Sequence, residues 1–196
     1  MNPTRTSAPW VTIVTGLPRS GTSVMMQMLA AGGIPPLTDQ LRAADEDNPR
    51  GYFEFEPVKQ IKQDKSWLND AAGKAVKMVH LLVPELPLDR EYRVIFMRRQ
   101  MEEILASQRK MLDRSGKKGA QMPDAVLIRI FETQVQNVLQ WLSQAPRFSV
   151  HQVWYRELIA DPAGHAQSIN ALLGGHLNEG AMQSAVDPAL YRNKKA

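Results

Sequence analysis

Four apolar stretches rich in β-branched residues punctuate the chain, at 11–15, 74–83, 92–97 and 148–154. They are too short for core helices and read as strands. The first, Val-Thr-Ile-Val-Thr, has the character of a strand covered on both faces. Between and after them, apolar side chains recur every three or four positions, which predicts helices over 22–32, 57–68, 101–112, 124–142 and 164–173. Punctuation agrees with these limits. Gly32-Gly33 and Gly174-Gly175 stop the first and last of these helices, and Pro57 stands where a proline opens one. Strands alternating with helices imply an α/β fold: three layers, with a mostly parallel central sheet and helices on both faces.

Composition narrows the picture. The 196 residues are 43% hydrophobic, which suits one domain over 1–196 with a substantial core. A net charge of +4 favours an anionic ligand. Without a basic run interleaved with aromatics, nucleic acid is not an expected partner. There is no cysteine, and the four histidines show no ligand spacing, so no metal is expected. No stretch approaches the roughly 20 apolar residues of a membrane span, and the first ten residues lack a signal-peptide core. A cytoplasmic protein without a membrane partner is the expectation.

The candidate chemistry begins where the first strand meets the first helix, at Gly16-Leu-Pro-Arg19-Ser20-Gly21-Thr22-Ser23. A glycine-bearing loop feeding a helix brings backbone N–H groups and the positive end of a macrodipole to one point, which suits a phosphate-like group. Gly16 and Gly21 have Walker A spacing, but Thr22 stands where a nucleoside triphosphatase carries lysine. Arg19 is the loop's own cation, and Thr22 and Ser23 add hydroxyls. Three further groups call for partners. Glu54 sits among Tyr52, Phe53 and Phe55, downstream of a turn at Asn48-Pro49 and Gly51, with the makings of a general base. Lys77 and His80 interrupt an apolar strand, where alternation puts them on opposite faces. Arg99 follows a strand and precedes Ser107 by eight residues, so its guanidinium can offer a bidentate fork to an anion.

Leu17 to Ser23 resembles the phosphosulfate-binding loop of sulfotransferases that use 3′-phosphoadenosine 5′-phosphosulfate (PAPS). Ile95 to Gln108 resembles the strand-arginine-helix-serine segment of that family's bacterial branch. The resemblance implies a P-loop-like nucleoside-triphosphatase fold, PAPS as donor without a metal, and a small-molecule or conjugate acceptor presenting a hydroxyl or amine. Carried onto this chain, it implies that Arg19, Ser20, Gly21, Thr22 and Ser23 hold the 5′-phosphosulfate. Arg99 and Ser107 would hold the 3′ phosphate, Tyr155 would lie by the adenosine, and Arg192 would belong to a closing arginine segment. Lys77 matches the lysine of the family's Lys-x-His, whereas His80 lies one residue beyond the histidine's register. The proton acceptor is therefore Glu54 or His80. Val24 stands where many cytosolic members stack a tryptophan on adenine. Two other classes stay open at this point: a P-loop kinase, and a nucleotide-binding protein without turnover.

Overall fold

The computed structural model describes residues 10–39, 41, 51–116, 119 and 122–191. Strands β1 (Trp10–Gly16), β2 (Ala75–Lys77), β3 (Glu91–Arg98) and β4 (Phe148–Trp154) form one all-parallel sheet in the order β2-β1-β3-β4. Six α-helices are described: α1 (Thr22–Gly32), α2 (Met101–Arg114), α3 (Asp124–Gln144), α4 (Tyr155–Ala160), α5 (Pro162–Leu172) and α6 (Glu179–Ser184).

The strands are apolar on both sides because both sides are covered. From β1 and β3, Val11, Ile13, Tyr92, Val94 and Phe96 point into one core with Val135, Val138 and Leu142 of α3. Their alternates, Val14, Ile95 and Met97, point into a second core with Met25, Met28 and Leu29 of α1, Leu158 of α4, Ile169 of α5 and Met182 of α6. A one-residue shift of either strand would exchange the two sets, so packing fixes the register.

Register also decides where the chemistry sits. Val14 pairs with Lys77, Gly16 with Met97 and Arg98 with Trp154. The chain thus leaves every strand at the same edge. It turns from β1 to one side for β2 and then crosses back to the other side for β3. Such a reversal leaves a crevice beyond the carboxyl ends of the central strands.

Two expected elements differ. The segment 57–68 is a pair of 3-10 turns, Glu56–Gln60 and Ser66–Asp70, rather than one helix. Its buried apolar residues Val58 and Ile61 are three apart, the period of a 3-10 turn. Asp64 then accepts a hydrogen bond from the Ser66 N–H at 2.8 Å and starts the second turn. The strand expected over 74–83 keeps only Ala75–Lys77. After the Met78 N–H bonds the Val14 carbonyl (3.0 Å), the chain coils into a 3-10 helix, His80–Glu85, containing Pro84. His80 therefore lies outside the strand, and its facing does not follow from strand alternation.

Candidate active site

The loop between β1 and α1 owes its path to three residues with positive φ: Gly16 (148°), Arg19 (73°) and Gly21 (102°). A methyl group on Gly21 would lie 2.4 Å from Cδ2 of Tyr155, so both φ and the touching ring demand glycine there. Arg19 holds a left-handed backbone without that excuse, a conformation that non-glycine residues adopt at functional sites. Gly21 is the N-cap residue of α1 and, as glycine, offers the helix no side-chain cap. The start of α1 carries the positive end of the helix macrodipole, which suits an anion.

Beyond this loop a cavity of about 590 Å³ opens along the carboxyl edge of the sheet. Every strand contributes to its wall: Arg19, Gly21, Thr22 and Ser23 after β1, Lys77 in β2, Arg99 after β3 and Tyr155 after β4. Ser107 of α2 and Glu54 complete the set of expected site residues that line it. Ser20 is buried behind the loop, its hydroxyl without a partner and its N–H bonded to the Leu17 carbonyl at 3.1 Å. Arg192 and the turn at 48–50 lie outside the described residues.

The end of the cavity nearest β3 is tightly cross-linked. Arg19 Nε donates to the Ser107 hydroxyl at 2.9 Å, joining the loop to α2. Arg99 Nη1 donates to the carbonyl of Arg19 at 3.1 Å, and Arg99 Nε to Glu103 Oε2 at 2.9 Å. The guanidinium lies 4.9 Å from the Tyr155 ring centroid and 5.3 Å from that of Tyr191. The Tyr191 hydroxyl donates to Glu103 Oε1 at 2.7 Å. Burial, and then the neighbouring carboxylate, push the Tyr191 phenol up to about 12. The adjacent Arg98 turns the other way, over Trp154 and onto Gln152.

At the other end, Lys77 Nζ donates to the Tyr52 carbonyl at 2.5 Å and lies 3.4 Å from the Ser23 hydroxyl, beside the start of α1. Glu54 is 25% exposed at the cavity wall, 4.0 Å from the Lys59 ammonium. The remaining wall is largely apolar, including Phe55, Val58, Met78, Leu82 and Met111. Val79, two residues beyond Lys77, faces this space and is 45% exposed. His80 does not line the cavity. It is 2% exposed, and neither ring nitrogen makes a hydrogen bond of normal geometry. Burial holds its pKa below the usual histidine value, partly offset by Gln134 and the Gly16 backbone.

Three residues of this site went unnoticed in the sequence. Glu103 and Tyr191 meet across 88 positions, a contact that no local pattern announces. Gln27 did leave a signal, as a polar residue among Met25, Met26, Met28 and Leu29. It lines the cavity one turn beyond Ser23, with both amide atoms buried and unpartnered. Among the described residues, no group of histidine, aspartate and glutamate side chains is placed to hold a metal, and no helix is long and apolar enough to cross a membrane.

A parallel α/β sheet with a glycine-bearing loop and converging cations at its carboxyl edge defines the class: a P-loop-like α/β fold. Within that class, this chain is a member of the sulfotransferase-domain family, whose model matches residues 11–196. Among solved structures it is similar to the sulfotransferase domain of the Synechococcus PCC 7002 olefin synthase, with a TM-score of 0.57 and 17% identity over 100% of this chain and 92% of that one. It is also similar to mouse sulfotransferase SULT7A1 in complex with PAP, with a TM-score of 0.55 and 16% identity over 95% and 65% of the two chains. A third likeness is retinol dehydratase bound to androsterone and the inactive cofactor PAP, with a TM-score of 0.52 and 16% identity over 94% and 65%. No curated protein matches the chain. Family and fold make this an enzyme of sulfo-group transfer.

Proposed function

We propose that the chain transfers a sulfo group from PAPS to a hydroxyl or amine on a small acceptor with an apolar body. The observation that carries this reading is the convergence of three separate cations, Arg19, Lys77 and Arg99, with the start of α1 on one cavity. Its volume of about 590 Å³ falls in the range of small-molecule sites. PAPS supplies an activated sulfo group on the 5′ phosphate, and the chain's own residues do the rest.

The loop amides, Thr22 and Ser23 hold the 5′ end. Lys77, held between Ser23 and the Tyr52 carbonyl, faces negative charge that grows on the phosphate oxygen as the sulfur–oxygen bond breaks. Glu54 takes the acceptor's proton as the new bond to sulfur forms. We prefer Glu54 to His80 because its carboxylate lines the cavity and the imidazole does not. Ser107 and Arg99 meet the 3′ phosphate. Tyr155 supports the loop from beneath Gly21 and lies by the adenosine. The apolar wall from Phe55 to Met111 receives the acceptor's body. A cytoplasmic location belongs to the same proposal.

A ligand-stabilisation panel tests the reading. A ligand that binds only the folded chain raises its stability by about 2.7 kcal/mol at a hundredfold excess over Kd. PAP, the 3′,5′-bisphosphate left after transfer, should stabilise strongly and ATP with Mg²⁺ weakly. A larger effect of ATP with Mg²⁺ would replace this reading with a kinase.

A further inference from the structure

We propose that Glu103 is a positioning residue for recognition of the donor's 3′ phosphate, acting through Arg99 and itself steadied by Tyr191. The inference rests on the donor reading above and extends it to residues that do not touch the ligand.

Glu103 presents a physical puzzle. Its side chain is 3% exposed, and that of Arg99 is 9% exposed. A carboxylate is costly to bury, and beside an anion site it also repels the ligand. Its placement makes sense if the carboxylate fixes the orientation of the arginine. Glu103 belongs to the first turn of α2, where the macrodipole tolerates negative charge. One carboxylate oxygen takes Arg99 Nε at 2.9 Å and the other takes the Tyr191 hydroxyl at 2.7 Å. Two tyrosine rings, edge to face at 83° with centroids 5.1 Å apart, flank the guanidinium. Arg99 Nη1 bonds the Arg19 carbonyl at 3.1 Å.

Together these contacts on one planar group define both its plane and its rotation. Arg99 still lines the cavity, so it meets a phosphate already oriented and loses little rotamer freedom on binding. The Arg19 bond ties the same arginine to the loop that receives the 5′ end. Tyr191 brings in the end of the described chain, 88 residues from Glu103.

Equilibrium titration of PAP and of AMP, which lacks the 3′ phosphate, separates positioning from plain structural support. Glu103→Gln keeps the shape and removes the charge. It should weaken PAP by about tenfold or more, while AMP changes less than about twofold. Tyr191→Phe keeps the ring over Arg99 and removes one hydrogen bond, so PAP should weaken by about threefold and AMP hardly at all. Equal losses for both ligands would make Glu103 structural and overturn the proposal. Tighter PAP binding would also overturn it, since Glu103 would then act only as a repelling charge. If Glu103→Gln does not fold, the same comparison on Tyr191→Phe decides. A wild-type chain that binds PAP no better than AMP refutes the donor reading and this proposal together. Preference for PAP in the wild type with equal losses in the variants refutes this proposal alone.

Discussion

The two ends of the cavity are built in different ways. At the β3 end, Arg19, Arg99, Glu103, Ser107, Tyr155 and Tyr191 lock one another through hydrogen bonds and ring contacts, and Glu103, Ser107, Tyr155 and Tyr191 are buried. At the β2 end, the wall comes from a three-residue strand and from 3-10 turns. There Glu54 is partly exposed, and Val79 and Leu81 show apolar surface to solvent. A ligand group of fixed shape suits the first end, because preorganised donors lose little on binding. The second end suits a partner that varies, because short turns can change without disturbing the sheet. On the proposed function, donor recognition would belong to the scaffold and acceptor choice to its edges.

The contrast is sharpest at Lys77, a cation that the β2 end places beside the start of α1. Replacing it with methionine keeps the stem and removes the charge that the proposed function sets opposite the leaving oxygen. Turnover should fall by about 10²–10³-fold, a range typical of losing one oriented transition-state donor, while PAP affinity falls much less. Release of PAP from PAPS, with water or an added alcohol as acceptor, measures the first quantity and titration the second. A variant that loses affinity and turnover equally would make Lys77 a binding group only.

Glu54→Gln tests the same end from the acceptor side. A near-isosteric loss of the base should lower turnover by about 10²-fold and leave PAP affinity unchanged. His80→Asn should leave turnover within about threefold, because the imidazole lies outside the cavity wall. If the two variants behave the other way round in one single-turnover assay, the histidine is the base and Glu54 is not.

These residues also mark how far the chain could be read without coordinates. β4 and the starts of α1, α2 and α3 fall where apolar periodicity and glycine stops placed them, because the sheet is covered on both faces. Arg99 was legible as a residue of the sheet's carboxyl edge because it follows a strand directly, and it lines the cavity there. Its supports were not, since Glu103 and Tyr191 are joined only by the fold. His80 misled for a local reason. The apolar run through 83 reads as one strand, yet the last sheet bond falls at Met78 and the chain then coils toward Pro84. The 3-10 turns after Phe55 carry apolar residues at a spacing that a helix shares, so length alone favoured the helix.

A smaller effect concerns stability. Burial lowers the folded-state pKa of His80, so the unfolded chain takes up the proton first as pH falls below the ordinary histidine range. The wild type should therefore lose stability between about pH 6.5 and the lower folded value, and His80→Asn should lose less over that interval. Denaturant melts of both proteins from pH 7 to pH 5 check this. Parallel curves would show that His80 binds its proton equally in both states.

The most direct test of a scaffold-built donor site is Arg99→Ala, titrated with PAP and with AMP beside the wild type. The wild type should prefer PAP, and the variant should lose about tenfold to a hundredfold in PAP affinity, the scale of a charge-assisted phosphate contact. Affinity for AMP should change by less than about threefold on the same argument. Equal losses for the two ligands, or an unchanged preference for PAP, would contradict this reading, because Arg99 would then hold the fold together without reading the 3′ phosphate.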